Sequence, residues 1–382
     1  MQSRQRVRER MPEREQRTQD YEWDEVRQRE LMLRKQLTEG RPRVVKYDSV
    51  PWEQSRAAYH KVFTTYDLPT AERKPWIAPM QVLRVMMQSL DTGHKNANHR
   101  HFEEVPFYVV QGKGHEIHDG RRHDWEGGDL MIVPPYCMHQ HFCDEGPAIL
   151  LYCQAEYGGL GVQHTEQAER NENWTLPDDA RPLYVADGTL VGYRRNGVEW
   201  FFDNSQDIKE AMKSRTFEEP PRPSHPVVDD YEWYVREFEE ERYWRQNVPQ
   251  VVRQSDRTWQ YTRNGKMLWF LHPGHDAMQT SLRMFEVYLQ ELPPGGRSGK
   301  HRHVGEEAHF IIEGNGYDVI DDVRWEWETN DVVAVPILST HQTFNADPER
   351  PATMLVFKTR IYEYMSFAGI EHFEDAFPLN PM

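Results

Sequence analysis

The chain has 382 residues, a formal charge of −16, and 28% charged against 38% hydrophobic residues. That is a soluble globular composition with enough length for two domains. An acidic body repels phosphate backbones, which sets nucleic-acid binding aside, and no run approaches the ~18 apolar residues of a membrane-crossing helix. Three cysteines, Cys137, Cys143 and Cys153, with no CxxC pair, argue against a disulfide framework and for a reducing compartment. The charged N-terminus lacks the apolar core of a signal peptide. The expected address is the cytoplasm, with neither nucleic acid nor membrane as a partner.

In chain order, the first 20 residues carry almost no apolar side chains and read as a frayed, charged arm. A helix is expected over 21–37, with Val26, Leu31, Leu33 and Leu37 on one side, ended by Gly40 and Pro42. From Val82 to Tyr152, short apolar or alternating runs ("FYVVQGKGHEI", "DLMIVPP", "AILLYC") are broken by Gly, Pro and Asp, the pattern of a β-barrel or sandwich. "EEPPRPSHPVVDD", Glu218 to Asp230, is proline-rich and reads as a linker. A second helical lead-in is expected over 231–246, and strand-like runs return from Met284 to Phe357. The lead-ins resemble each other, since Tyr21-Glu22-Trp23 matches Tyr231-Glu232-Trp233 and Pro42-Arg43-Val44-Val45 matches Pro249-Gln250-Val251-Val252. The expected organisation is an arm and helix (1–45), a first β-domain (46–202), a linker and helix (203–256) and a second β-domain (257–382).

The β-rich halves are a tandem duplication. At one fixed offset Gly93 matches Gly295, His99 His301, His101 His303, and Gly112 and Gly114 match Gly314 and Gly316. Asp119 likewise matches Asp321, Trp125 Trp327, Asp129 Asp331, Pro134 Pro336, and His139 His341. On a strand, residues i and i+2 share a face, so His99 and His101 point together into a barrel while Arg100 points out, as does Arg302 in the second copy. A later strand returning alongside brings His139 to the same place. Three neutral imidazoles meeting inside a barrel suit a divalent first-row metal.

The copies differ at one consequential position, where Val105 stands in place of Glu307. Glu104 sits one residue early, so alternation sends it to the opposite face unless a bulge intervenes. Glu103 has the inward parity but approaches from the loop, and both glutamates are expected to be solvated. His141 and His309 have inward parity and are the candidate catalytic groups, as orienters of a ligand or proton carriers; packed core histidines are the alternative reading. Cys137 and Cys143 read as small core residues, and Trp259, Trp269, Trp325 and Trp327 mostly as core.

Gly295, His301, His303, Glu307 and Gly314 fit the first motif of the cupin superfamily, and Pro336, His341 and Asn345 its second, with Asn330 and Leu338 replacing glycines. In the first copy Gly93, His99, His101, Gly112, Gly128, Pro134 and His139 fit, while Val105, Tyr136 and Cys143 depart. The chain resembles a bicupin over about two thirds of its length. The resemblance implies an all-β fold with helical additions, built from tandem duplicated cupin (double-stranded β-helix, jelly-roll) barrels. It implies metal ligands His99, His101 and His139 in one barrel and His301, His303, Glu307 and His341 in the other, one ion for each.

With "HRH", no glutamate in the first copy, and His139-x-His141, the chain resembles gentisate 1,2-dioxygenase and the relatives that cleave salicylate or 1-hydroxy-2-naphthoate. That resemblance implies Fe(II) held by three histidines in the N-terminal barrel, cleavage of a hydroxylated aromatic acid with O2, and a homo-oligomer, dimer or tetramer. Three neutral ligands leave three positions for a bidentate hydroxy-acid and O2. The complete second set departs from that family and resembles quercetin dioxygenase-like and oxalate decarboxylase-like bicupins. It keeps open a Mn(II)-dependent decarboxylase or lyase acting on a small carboxylate, or a binding or storage bicupin with structural metals. No substrate-binding residue is singled out by the sequence.

Overall fold

Apolar runs build the centres of the sheets. Leu130–Val133 (LMIV) and Val332–Val335 (VVAV) are buried at every residue, as strands covered on both faces must be. Asn315–Ile320 alternates buried with more exposed positions, the pattern of a strand with one face on the core. Two-residue turns join the hairpins that follow. Asp119 and Gly120 have φ of 44° and 83°, and Asp321 and Asp322 have φ of 48° and 64°, the left-handed pair that a tight hairpin requires and that Asp tolerates.

The computed structural model describes residues 40–54, 58–65, 74–101, 103–135, 137–155, 166–167, 181–184, 190–195, 198–201, 231, 233–234, 236–237, 248–272, 284–360 and 369–378. The charged arm, the helix expected over 21–37 and the proline-rich segment lie outside the described residues. Tyr231, Trp233, Tyr234, Arg236 and Glu237 are helical; the rest of the expected second lead-in helix lies outside as well. No helix among the described residues is long and apolar enough to cross a membrane.

The second copy forms two antiparallel sheets. One runs Val44–Val45, Val332–Val335, Glu307–Glu313, Ala352–Thr359, Phe285–Leu292, Gly265–Leu271, Gln260–Thr262; the other runs Val323–Glu328, Asn315–Ile320, His341–Asn345, Lys300–His303, Ile370–Glu374. The first copy repeats this layout as one continuous sheet, because Val105–His118 and His139–Ala155 each run through both faces. Register shifts between Cys143 and Leu150 let that pair bend.

The lead-in strands are exchanged. Val44 and Val45, which precede the first copy, pair with Val333 and Val332 of the second. Val251 and Val252, which precede the second copy, pair with Met131 and Leu130 of the first. The exchange is locked at equivalent aspartates: Lys46 Nζ lies 2.7 Å from Asp331 Oδ2, and the Arg253 guanidinium donates to Asp129. A second reciprocal tie uses equivalent glutamates. Glu306 accepts from the backbone N–H groups of Gln81, Val82 and Leu83 at 2.6, 2.8 and 3.1 Å, and Glu104 accepts from Met284 N–H. Glu103 and Glu104 are therefore not solvated as their sequence suggests; both are buried, and Glu104 is used between the copies rather than at the metal site.

One apolar cluster joins the two copies, with Phe63, Leu83 and Leu151 from the first packed with Phe270, Phe310 and Phe357 from the second. Separate clusters fill each interior, around Val105, Phe107, Trp125 and Tyr152 in one and Ile311, Trp327 and Met354 in the other. Trp327 is core as expected, and Trp259, Trp269 and Trp325 pack partly buried against these clusters. A shared core of this size couples the barrels far more firmly than a polar domain contact does.

Candidate metal centres

Antiparallel pairing brings the three histidines of each copy together. His139 stands opposite His99, and His341 stands opposite His301. The turn aspartates fix the approach to the third histidine: Asp119 Oδ1 accepts from Met138 N–H at 3.1 Å, and Asp321 Oδ1 from Thr340 N–H at 3.0 Å. Where the second motif lacks its glycines, the backbone keeps the glycine conformation. Asn330 has φ of 74° and Leu338 of 57°, and Leu338 N–H is held by the carbonyl of His303 at 2.9 Å.

Six imidazoles share one orientation device. The Nδ1 atoms of His99, His101 and His139 lie 2.8, 2.7 and 3.0 Å from the carbonyls of Ala97, Glu103 and Cys137. Those of His301, His303 and His341 lie 3.1, 2.8 and 3.1 Å from the carbonyls of Gly299, Gly305 and Ser339. A carbonyl accepts only, so each Nδ1 carries the proton and each Nε2 keeps a lone pair. The donor atoms of His99, His101 and His139 lie within 4.8 Å of one another, as do those of His301, His303, Glu307 and His341.

Burial, more than any other cause, favours the neutral form of His99, His101, His139, His301 and His303, with His99 pushed down to about 4, His101 to about 3 and His301 to about 2. His139 Nε2 is buried with no hydrogen-bond partner. Orphaned imidazole lone pairs converging at this spacing fit a divalent metal ion. In the second copy Glu307 adds a carboxylate, with Oε1 2.9 Å from His303 Nε2 and Oε2 3.3 Å from His341 Nε2. Burial opposes its charge, but the His303, His309 and His341 rings outweigh that and hold the carboxyl well below its usual range. Tyr288 donates to Glu307 Oε1 at 3.3 Å.

The two candidate catalytic histidines prove to be spatial counterparts supplied by different strands. In the second copy His309 lies with Nε2 3.0 Å from Glu307 Oε2 and Nδ1 3.4 Å from Asp318 Oδ2. Its equivalent in the first copy is Phe107, and there the imidazole comes from His141, packed 4.5 Å from the Phe107 ring with Nδ1 3.0 Å from Glu116 Oε2. Glu116 and Asp318 occupy equivalent positions, and the sequence reading passed over both.

The remaining candidates lie away from the centres. Arg302 donates to Glu371 on the neighbouring edge strand, and Arg100 is half-buried on the outward side of its strand. Cys137, Cys143 and Cys153 are free and buried, and none belongs to either ligand set. Asn345 donates to the carbonyls of Leu292, Pro293 and Arg350, which makes it a loop brace rather than a ligand.

A profile of the cupin domain matches residues 288–358. Gentisate 1,2-dioxygenase 1 of Aquipseudomonas alcaligenes is 22% identical over 269 residues, covering 65% of this chain and 62% of that protein. The chain thus spans less than two thirds of that relative's length. The oxalate decarboxylase of Lactobacillus farciminis in its formate complex matches with a TM-score of 0.51 at 15% identity, covering 86% of this chain and 88% of that one. A variant of the Bacillus subtilis oxalate decarboxylase matches with a TM-score of 0.51 at 15% identity, covering 86% and 78%. Likeness at that identity is one of fold, and it extends across both copies. Two register-matched barrels, each closing around its own histidine cluster, give this chain the tandem cupin fold, and the second barrel carries the match to the cupin domain.

Proposed function

We propose that the protein is an Fe(II)-dependent dioxygenase that cleaves the ring of a hydroxylated aromatic acid of the gentisate, salicylate or hydroxynaphthoate kind, with its reaction centre in the N-terminal barrel. The carrying observation is Val105, wholly buried where the second barrel has Glu307. His99, His101 and His139 would hold the ion, and the side facing Val105 stays apolar and uncharged. When bound there, Fe(II) supplies a centre at which substrate oxygens and O2 meet and exchange electron density. Overall, one ring carbon–carbon bond breaks and both atoms of O2 enter the product.

The chain's own residues support an aromatic substrate. Phe107 and Tyr152 stack at 4.6 Å beside Val105 and Met86, a flat apolar wall that orients a ring and excludes water. His141 stands next to Phe107 with both ring nitrogens buried and without a hydrogen-bond partner, which suits it to meet a substrate hydroxyl. In the C-terminal barrel His309 is instead bonded to Glu307, so its role is to steady a ligand. The identity shared with a gentisate dioxygenase points the same way. We take the working form to be a cytoplasmic homo-oligomer.

The test is oxygen uptake by the Fe(II)-loaded protein with gentisate, salicylate and 1-hydroxy-2-naphthoate. Uptake matched by ring-opened product supports the reading, and no uptake with any of them sinks it. A second reading has its own support: the complete His301, His303, Glu307 and His341 set, together with the oxalate decarboxylase fold likeness, suits a Mn(II)-dependent decarboxylase or lyase on a small carboxylate. Release of CO2 from oxalate without net O2 consumption would favour it.

A further inference from the structure

Three neighbouring strands of the second barrel set a row of charges on its inner face. Lys358 stands directly opposite Glu286 on one side and Glu307 on the other. All three share the inward parity of Tyr288, Val356 and Ile311, which fill the barrel. Residues facing each other across an antiparallel ladder have Cβ atoms about 5 Å apart, and a lysine stem is flexible enough to serve either neighbour. The ammonium therefore has two carboxylates within reach, and only Glu307 belongs to the metal set.

The lysine takes the other one. Lys358 Nζ lies 3.3 Å from Glu286 Oε2, and Arg360 Nε lies 4.0 Å from Glu286 Oε1. Glu286 is buried, where screening is weak, so it draws both cations. Glu307 meanwhile keeps its Oε1 near His303 Nε2 and the Tyr288 hydroxyl, at 2.9 and 3.3 Å. Its Oε2 lies 3.0 Å from His309 Nε2 and 3.3 Å from His341 Nε2. An ammonium on Glu307 would oppose a divalent ion in two ways. It would occupy the oxygen lone pairs that the ion needs, and it would repel the ion across a low-dielectric interior.

The first barrel changes all three positions together. Arg84 is equivalent to Glu286 and stands opposite Gln154, so a glutamine takes the place of Lys358, as Val105 takes that of Glu307. Where the row has no carboxylate ligand, it has neither the lysine nor the acid that engages it.

We propose that Glu286 is a positioning residue for the C-terminal metal centre: with Arg360 beside it, it holds Lys358 away from Glu307 and so keeps that carboxylate available to a divalent ion. The role does not depend on which substrate the N-terminal barrel takes.

The test uses the full-length protein carrying His139→Ala, in which only the C-terminal set is complete, and reads Zn(II) affinity by chelator competition. Glu286→Gln should weaken binding by about ten- to a hundredfold, the usual effect of losing a residue that orients a metal ligand. Lys358→Gln, which copies the first barrel, should bind at least as tightly as the parent. The double variant should bind like Lys358→Gln, because without the lysine Glu286 has nothing to hold off. If Glu286 acted only through its own negative charge, the double variant would stay weaker than Lys358→Gln, which contradicts the proposal. An unchanged affinity in Glu286→Gln, or a weakened one in Lys358→Gln, contradicts it as well. Should Glu286→Gln alone fail to fold, the double variant, which buries no unpaired lysine, still decides by comparison with Lys358→Gln. A parent chain that takes up no Zn(II) removes the C-terminal centre and the role of Glu286 with it, and leaves the ring-cleavage reading to its own oxygen-uptake test.

Discussion

Val105 and Glu307 occupy one position in two copies of the same ladder: Val105 stands opposite Val133, and Glu307 opposite Val335. The surrounding histidines are oriented alike, with the His99–His139 and His301–His341 ring centroids both 4.3 Å apart. The barrels thus offer a neutral three-nitrogen set and a set with one added negative charge on nearly the same frame.

Val105→Glu is expected to recreate the second set in the first barrel. The added carboxylate raises affinity for a divalent ion and takes a coordination position from substrate and O2. Chelator competition should show tighter binding, and O2 uptake should fall on the order of tenfold or more. Weaker metal binding by the variant would mean that position 105 does not face the ion.

Glu306→Ala removes the acceptor for three buried backbone N–H groups. Each group left unsatisfied costs on the order of 1–3 kcal/mol, so a loss of roughly 3 kcal/mol or more is expected in urea unfolding. The two barrels should still unfold together, because the apolar cluster shared by Phe63 and Phe270 remains. A change below about 0.5 kcal/mol, the usual size for surface substitutions, would show that the tie contributes little.

Much of this was legible in the sequence, and the misses have two physical causes. The fixed offset between copies picked out the seven residues that the fold gathers into two candidate clusters, because i and i+2 on a strand share a face and an antiparallel partner delivers the third histidine. Glu116 was missed because parity counted from Val105 puts it outside. In Val105–His118 the interior residues change from odd (Val105, Phe107) to even (Gly114, Glu116, His118) past the Gly112 kink, φ 97°, where the register with the partner strand shifts. The buried pair Glu116 and His118 in "GHEIHDG", matched by Asp318 in "GYDVIDD", was the available signal. Exchange of the lead-in strands was not legible, since Val44-Val45 and Val251-Val252 would suit either barrel equally. The burial of Glu104 follows from that second-copy contact and was equally hidden.

Gly114 and Gly316 should tolerate no side chain. A Cβ at Gly114 would lie 2.0 Å from the Phe142 carbonyl oxygen and 2.5 Å from the Trp125 ring, and one at Gly316 would meet Phe344 and Trp327 at the same distances. Either Gly→Ala change should cost about 3 kcal/mol or more by overpacking against backbone, read as a lowered thermal midpoint. Gly93, with open space around its Cβ position, serves as the control for the steric part, although its φ of 79° adds some strain.

Acid should destabilise the fold in two stages. His60, bonded to the Tyr152 hydroxyl at 2.9 Å, is pushed down to about 4 by burial and by Arg84. Below the unfolded value of 6.5 the unfolded chain then binds more protons than the folded one, so stability falls as pH drops from 6.5 towards 4. Glu116 is held at about 2; burial opposes its charge, but His118 and His141 outweigh that. Its contribution is present above the unfolded value of 4.5 and is lost as pH falls from there towards 2. Thermal midpoints across pH should show both stages. His60→Gln should lessen the first by its own share, since His99, His101 and His301 are lowered by burial as well, and leave the second unchanged. An unaltered profile in that variant would remove His60 from the account.

The most direct test measures metal content and oxygen uptake on the same Fe(II)-loaded samples of wild type, His139→Ala and His341→Ala. The account predicts two ions per chain in wild type and one in each variant, with ring-acid-dependent O2 uptake abolished in His139→Ala and largely kept in His341→Ala. Uptake that survives loss of His139 and disappears with His341 would contradict the assignment of oxygen chemistry to the three-histidine barrel.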